Sequence, residues 1–342
     1  MIKKLTVLLA VLSLSINYSF VPANAIENGE SALNHPRVVS IYTVATNLNY
    51  LRPSCSAWLY SPRIVLTAGH CVHDPDNKAK KTVLNAADVY VGKPGALKTY
   101  GPPDSRVRAT KIYFYETFEW YNATVGGTLS YKDDFAAIVL EKPLANIEVA
   151  KLGTKEFLDS LLARNEFIET AGYGLQDSSR QQRNGDEPKK ARFQLISFED
   201  GMKTVNEWKQ KWKRTYFQED AAFVKLPKNG AAPCDGDSGS GYFYNENGKF
   251  TYLGVTMGIL GSPNCGLDTW TDTAVGPFRP VYLDVDMVKI AEKYVLENPY
   301  VESKATKSNS NKKVTISCIK GKTTKKVSGT NPKCPKGYKV KA

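Results

Sequence analysis

Residues 234–239 read Cys234-Asp235-Gly236-Asp237-Ser238-Gly239, and residues 67–71 read Thr67-Ala68-Gly69-His70-Cys71. The first stretch sets a serine between glycines, and the second supplies the one well-placed histidine upstream of it. A serine hydroxyl is a poor nucleophile at neutral pH. It needs an imidazole within hydrogen-bond reach and a carboxylate to fix the imidazole tautomer. Together the two stretches point to serine-dependent hydrolysis, with His70, Asp134 and Ser238 as candidate catalytic residues. Their order along the chain, His then Asp then Ser, differs from the Asp-first and Ser-first orders that other hydrolase folds use.

Before the fold is read, residues 1–25 are set aside. Lys3 and Lys4 precede a largely apolar run over 5–20, and Val21-Pro22-Ala23-Asn24-Ala25 ends in the small-x-small pattern of a signal-peptidase site, which Val21-Pro22-Ala23 also fits. A signal peptide of bacterial type is expected over 1–25, and with it secretion. The apolar run is too short and too interrupted by Ser and Asn for a membrane span, and no later run is longer, so no transmembrane segment is expected.

The formal net charge of +12 is a local property. Residues 303–342 contain 12 Lys and no acidic residue, the leader adds 2 Lys, and residues 26–302 therefore carry about −2. This distribution argues against a general nucleic-acid-binding surface. At 42% hydrophobic composition the remaining chain is ample for a core, and its length exceeds what one core usually holds. Six cysteines in an exported chain imply disulfides, with fifteen possible pairings. No C-x-x-C pair suggests a metal site, and nothing calls for a cofactor.

Short Val-, Ile- and Tyr-rich runs recur between turn residues, at 37–44, 64–68, 88–91, 111–114, 135–140, 167–172, 192–198, 252–256 and 280–285. This is an all-β pattern. Helical spacing is confined to 200–212, with Val205, Trp208 and Trp212 on one face, and to 284–296, with Val288, Ala291 and Val295 on one face and Asp284 available as a cap. Residues 141–153 read as the connection between two β units, spanning 26–145 and 146–297, and 176–190 as a polar loop. Residues 298–313 read as a flexible linker rich in Ser, Asn and Lys.

An ordered set of motifs now resembles the trypsin-like, chymotrypsin-fold serine endopeptidases over about residues 26–296. It comprises Ile26-Glu27-Asn28-Gly29, His35-Pro36, Cys55 through Thr67-Ala68-Gly69-His70-Cys71, Asp134-Phe135-Ala136, Gly172-Tyr173-Gly174, Cys234 to Gly239, and Val281-Tyr282 before a terminal helix. The resemblance implies two packed six-stranded antiparallel β-barrels with a C-terminal helix and the catalytic residues between them. His70 would be the general base and Asp134 its orienting acid. Asp133 competes for that role, but the family pattern places the acid directly before the apolar strand residue, here Phe135. His35 and His73 are expected to be structural or exposed.

The same resemblance assigns the oxyanion hole to the amides of Gly236 and Ser238. Losing one such donor costs about 10²-fold to 10³-fold in turnover. It pairs Asp237 with the freed α-ammonium of Ile26, so a leader cut after Ala25 would itself create the activating terminus. It places the floor of the substrate pocket at Ala232, where trypsin-type enzymes carry an Asp, with walls from Pro233, Met257 and Gly258. Preference for neutral over basic residues at the cut site follows. Ser240 stands where the family usually has a glycine. Sequence proximity and the resemblance together give Cys55–Cys71 and Cys234–Cys265, and proximity gives Cys318–Cys334 in the tail, each worth about 3 kcal/mol on the chain-entropy account.

Residues 314–342 form a Cys-bounded basic tail in which Val314, Ile316 and Cys318 alternate with polar residues. Gly329-Thr330-Asn331-Pro332 reads as a turn, predicting a disulfide-stapled hairpin. Its charge suits an anionic cell-envelope polymer, and thus cell-surface association. No aromatic platform beyond Tyr338 supports nucleic acid. The expected activity is that of a secreted serine endopeptidase, monomeric by family default, acting on proteins or peptides. The alternative is a catalytically inactive homologue serving as an envelope-binding or adhesin protein, which would have no need of a complete triad.

Overall fold

The computed structural model describes residues 26, 28–44, 51–73, 83–97, 106–122, 129–174, 187–212, 221–227, 230–260, 274–302, 314–329 and 331–340. The leader over 1–25, Cys265, most of the polar loop and most of the linker lie outside the described residues. The chain divides into two compact units, residues 1–299 and 300–342.

In the first unit the strands are β1 (Glu30–Ser31), β2 (Val38–Val44), β3 (Leu51–Ser61), β4 (Ile64–Thr67), β5 (Val89–Val91), β6 (Val107–Phe114), β7 (Glu119–Asn122), β8 (Leu129–Lys132) and β9 (Ala136–Leu140), followed by β10 (Lys151–Leu152), β11 (Phe167–Gly172), β12 (Lys189–Ile196), β13 (Ala222–Lys225), β14 (Gly241–Glu246), β15 (Lys249–Thr256) and β16 (Val275–Pro280). Helices α1 (Lys155–Ala163), α2 (Phe198–Trp212) and α3 (Val285–Glu297) complete it. Six antiparallel strands close the first barrel in the order β2-β3-β4-β9-β6-β5, and six close the second in the order β11-β14-β15-β16-β13-β12. β1 adds to the edge at β12, and β10 runs parallel to β15. The two-barrel expectation is met.

Every residue of β9 is buried, which a half-exposed strand would not allow. One face fills the barrel, and the other lies under α3, whose Met287, Val288 and Ala291 join the first barrel's core. The barrels meet through aromatic rings. Trp58 of β3 is fully buried, with ring centroids 4.6 Å from Phe243, 5.8 Å from Tyr252 and 5.9 Å from Phe250. Gly241 makes room, since a Cβ there would stand 2.7 Å from the Tyr252 ring and 3.0 Å from Trp58.

Several sequence expectations need correction. Residues 280–285 are not a strand. β16 ends at Pro280, a 3₁₀ turn spans Val281–Leu283, and α3 begins at Val285. Asp284 takes the position before α3 but does not cap it, because both its oxygens bind Arg279. The polar loop ends earlier than read, because Lys189 and Lys190 already belong to β12. Helix α1, capped by Thr154 through its hydroxyl to Phe157 N, and strand β3 went unread. β3 carries Pro53 beside a bulge in its ladder with β2, where proline is tolerated but the alternating pattern is lost.

The second unit is a three-stranded sheet of β17 (Val314–Lys320), β18 (Thr323–Gly329) and β19 (Lys339–Val340), with β17 central. The expected hairpin is present, but its turn falls at Gly321-Lys322, not at 329–332, and Gly321 takes a left-handed φ of 56° there. Cys318 is its one buried residue among those described, bonded to Cys334. Such a sheet has almost no apolar core beyond its cystine.

His35 sits in the seam between the barrels, its ring 5.2–5.5 Å from Phe250, Phe243 and Trp58. Its Nδ1 accepts from the amides of Arg37 and Val38, so the neutral ring is the one that fits. Burial, followed by Lys190 and Arg37, lowers its pKa to about 4. Above pH 6.5 the ring is neutral in both folded and unfolded chains. As pH falls from 6.5 to 4 only the unfolded chain takes up the proton, so stability declines by about 3 kcal/mol and then levels off. Denaturant midpoints at pH 7 and pH 4.5 should separate more for the wild type than for His35→Asn, whose Oδ1 replaces the acceptor without titrating. Equal separations would rule this account out.

Candidate active site

His70 lies on the 3₁₀ turn Gly69–Cys71 that follows β4, and Asp134 lies in the loop between β8 and β9. Because β4 and β9 are neighbours, with Thr67 opposite Ala136, the two loops leave the barrel side by side. The Asp134 carboxylate is fully buried. It accepts from His70 Nδ1, with Oδ2 at 2.9 Å and Oδ1 at 3.1 Å, and from the His70 backbone amide at 2.8 Å. A carboxylate only accepts, so Nδ1 carries the proton and Nε2 becomes the basic nitrogen. Asp133 instead faces Arg279, whose Nη2 is 3.3 Å from its Oδ1.

Ser238 comes from the second barrel, on the loop before β14, and is half-buried. Its carbonyl accepts from Ser56 N at 3.0 Å and lies 3.5 Å from the sulfur of Cys71, the residue after His70. Gly236 and Gly239 take left-handed φ values of 96° and 80°. Gly239 also passes so close to the first barrel that a Cβ would stand 2.1 Å from Thr67 Oγ1 and 2.6 Å from Ser56 O. Only glycine meets both demands. Among the described residues, the amides of Gly236 and Ser238 have no backbone acceptor, as donors for a developing oxyanion require.

Ser56 is a site residue that the sequence reading missed. Its hydroxyl donates to Gly236 O and accepts from Tyr173 N, each at 2.8 Å, fastening the serine loop to both barrels. Its place beside Cys55 is the only sequence signal it carries. Ser240, where the family usually has glycine, is buried with its hydroxyl 2.8 Å from Thr256 Oγ1 and 3.1 Å from Thr170 Oγ1, so the change is absorbed by a polar network.

Asp237 is fully buried and accepts from Gly174 N and Cys234 N, each at 2.8 Å. Gly172 and Gly174 leave the space it fills, since a Cβ on either would stand 2.3 Å from a carboxylate oxygen. Ile26 is also fully buried, in an apolar cluster that includes Ala232. Ala232, Pro233 and Met257 are buried and Gly258 half-buried, with open space where a side chain at Gly258 would project. The Cys55–Cys71 and Cys318–Cys334 disulfides are present. Cys234 is disulfide-bonded, and its expected partner Cys265 lies outside the described residues. His70 lies near the sulfurs of Cys55 and Cys71, but these are joined to each other and offer no thiolate to a metal. Of the structural and exposed alternatives for His73, the structural one holds. The residue is buried, with its ring 5.3 Å from that of Phe118.

A search of curated proteins finds no significant match. The family profile described as Trypsin matches residues 26–275, a span that holds both glycine-flanked loops, the His70–Asp134 pair and nearly all of both barrels. The chain belongs to the trypsin family.

Proposed function

We propose that this chain is a secreted serine endopeptidase that works through an acyl-enzyme, with Ser238 as nucleophile, His70 as general base and then acid, and Asp134 holding the imidazole. The observation that carries the reading is the Asp134 carboxylate, buried and clamped on both the ring and the amide of His70. A binding-only homologue has no use for a buried acid oriented in this way. The amides of Gly236 and Ser238 receive the oxyanion.

The Asp237 carboxylate is the partner of the Ile26 ammonium once the leader is removed. The reading draws on the burial of both residues and on the two amides that already hold the carboxylate in place. The amino-terminal side of the cleft is thereby tied to the serine loop. Incubating the secreted protein with a fluorophosphonate should label the wild type and leave Ser238→Ala unlabelled. Sequencing of the labelled protein should begin at Ile26. A wild type that takes no label rejects the peptidase reading, and a labelled protein with another amino terminus rejects the Ile26–Asp237 pair.

The pocket floor carries no charge at Ala232, so a basic side chain entering it would be desolvated without a counter-ion. Across a peptide panel, kcat/KM for neutral apolar residues at the cut site should exceed that for Arg or Lys by about 10-fold or more, on the scale of one unpaired polar group. A preference for Arg or Lys would refute this.

The second unit presents Lys320, Lys322, Lys325, Lys326, Lys333, Lys336 and Lys339, all exposed. It serves to hold the enzyme on an anionic cell-envelope polymer. Increasing salt should release the full-length protein from cells, while a form ending at residue 302 should be free in the medium at low salt. Equal release of both forms would remove this role.

A further inference from the structure

Behind the His70–Asp134 pair lies an ion cluster that the catalytic scheme does not use. Arg279 of β16 binds Asp284 through Nε, 2.9 Å from Oδ2 and 3.1 Å from Oδ1, and through Nη2, 3.0 Å from Oδ1. Nη2 also reaches Asp133 Oδ1 at 3.3 Å. The Tyr115 hydroxyl donates to Asp284, and the Tyr115 ring centroid lies 5.6 Å from the guanidinium carbon. Side-chain exposure is 0% for Asp284, 7% for Arg279 and 18% for Asp133.

The cluster spans both barrels. Arg279 and Asp284 belong to the segment that closes the second barrel and starts α3, whereas Asp133 and Tyr115 belong to loops of the first. Asp133 directly precedes Asp134 and holds a left-handed φ of 54°, a conformation that Asp tolerates but does not prefer. Its carbonyl accepts from Phe135 N at 2.9 Å, so the turn carrying Asp134 is a tight one. The dihedrals of residue 133 set the direction in which the next residue projects.

We propose that Arg279 is a positioning residue for the His70–Asp134 couple: by gripping Asp133 from the barrel that carries Ser238, it locks the left-handed turn that aims the Asp134 carboxylate at His70 Nδ1. Asp284 and Tyr115 hold Arg279 in place. The loop bearing the acid is thus referenced to the serine-bearing barrel as well as to its own. The inference rests on the peptidase reading only for its kinetic consequence, since the geometry it concerns is the hydrogen bond itself.

The test uses the full chain in three variants. Asp133→Asn keeps an oxygen for Arg279 and tolerates the left-handed backbone. Asp133→Gly keeps that backbone accessible but removes the carboxylate, and Asp133→Ala opposes both. All three leave the Arg279–Asp284 pair intact. The first readout is the downfield proton resonance of the His70 Nδ1–H, which reports the bond to Asp134 whether or not the protein turns over substrate. The second is the rate of fluorophosphonate inactivation.

Asp133→Ala and Asp133→Gly should lose or shift the resonance and slow inactivation about 10-fold to 100-fold, the scale of a small misplacement of a catalytic group. Asp133→Asn should restore both readouts to near wild type. A wild-type resonance and rate in Asp133→Gly would overturn the proposal even if Asp133→Ala failed to fold. A wild type that resists the fluorophosphonate, with a resonance that still disappears in Asp133→Gly, would reject the peptidase reading and leave the positioning role standing.

Discussion

Gly239 is a point at which the second barrel approaches the first too closely to admit a Cβ. Its Cα lies against Thr67 and Ala68, one turn from His70, while its amide donates to Thr256 O within its own barrel. The Ser56 amide, donating to Ser238 O, fixes the same approach from the other side. A larger residue at 239 would push the serine loop away from the histidine turn whatever else remained in place. The aromatic seam around Trp58 then acts as a spacer. It packs against the same junction, since Trp58 lies two residues from Ser56 and borders Gly241, two residues beyond Gly239.

Buried carboxylates complete the arrangement, each with a different set of partners. Asp134 has an imidazole and an amide, Asp237 has two amides and two glycines that clear its way, and Asp284 has a guanidinium and a phenol. Leaving any of these anions without its donors would cost several kcal/mol. The loops around the site are therefore specified by polar satisfaction more than by apolar packing.

What could be read from the sequence follows from this. The His70 and Ser238 loops were legible because their glycines and cysteines lie within a few residues of the groups they serve. Asp134 was legible because an apolar strand follows it directly. Ser56 was not, because one hydroxyl that joins residues 173 and 236 leaves no local pattern. Asp284 was misread for a related reason: an Asp before a helix has the look of a cap, and only the folded chain reveals its stronger partner, Arg279. β3 and β16 were missed or displaced because proline interrupts both, joined in β16 by Gly276, at positions the ladders tolerate.

Helix α3 belongs to the end of the protease unit by sequence, yet it covers the outer face of β9 in the first barrel. Synthesis delivers the chain amino end first. The earlier barrel therefore waits, with an apolar strand uncovered beneath the acid's loop, until the last segment of the later one has been made. The apolar cover over the strand that follows the Asp134 loop is thus supplied by the carboxyl-terminal helix of the same unit.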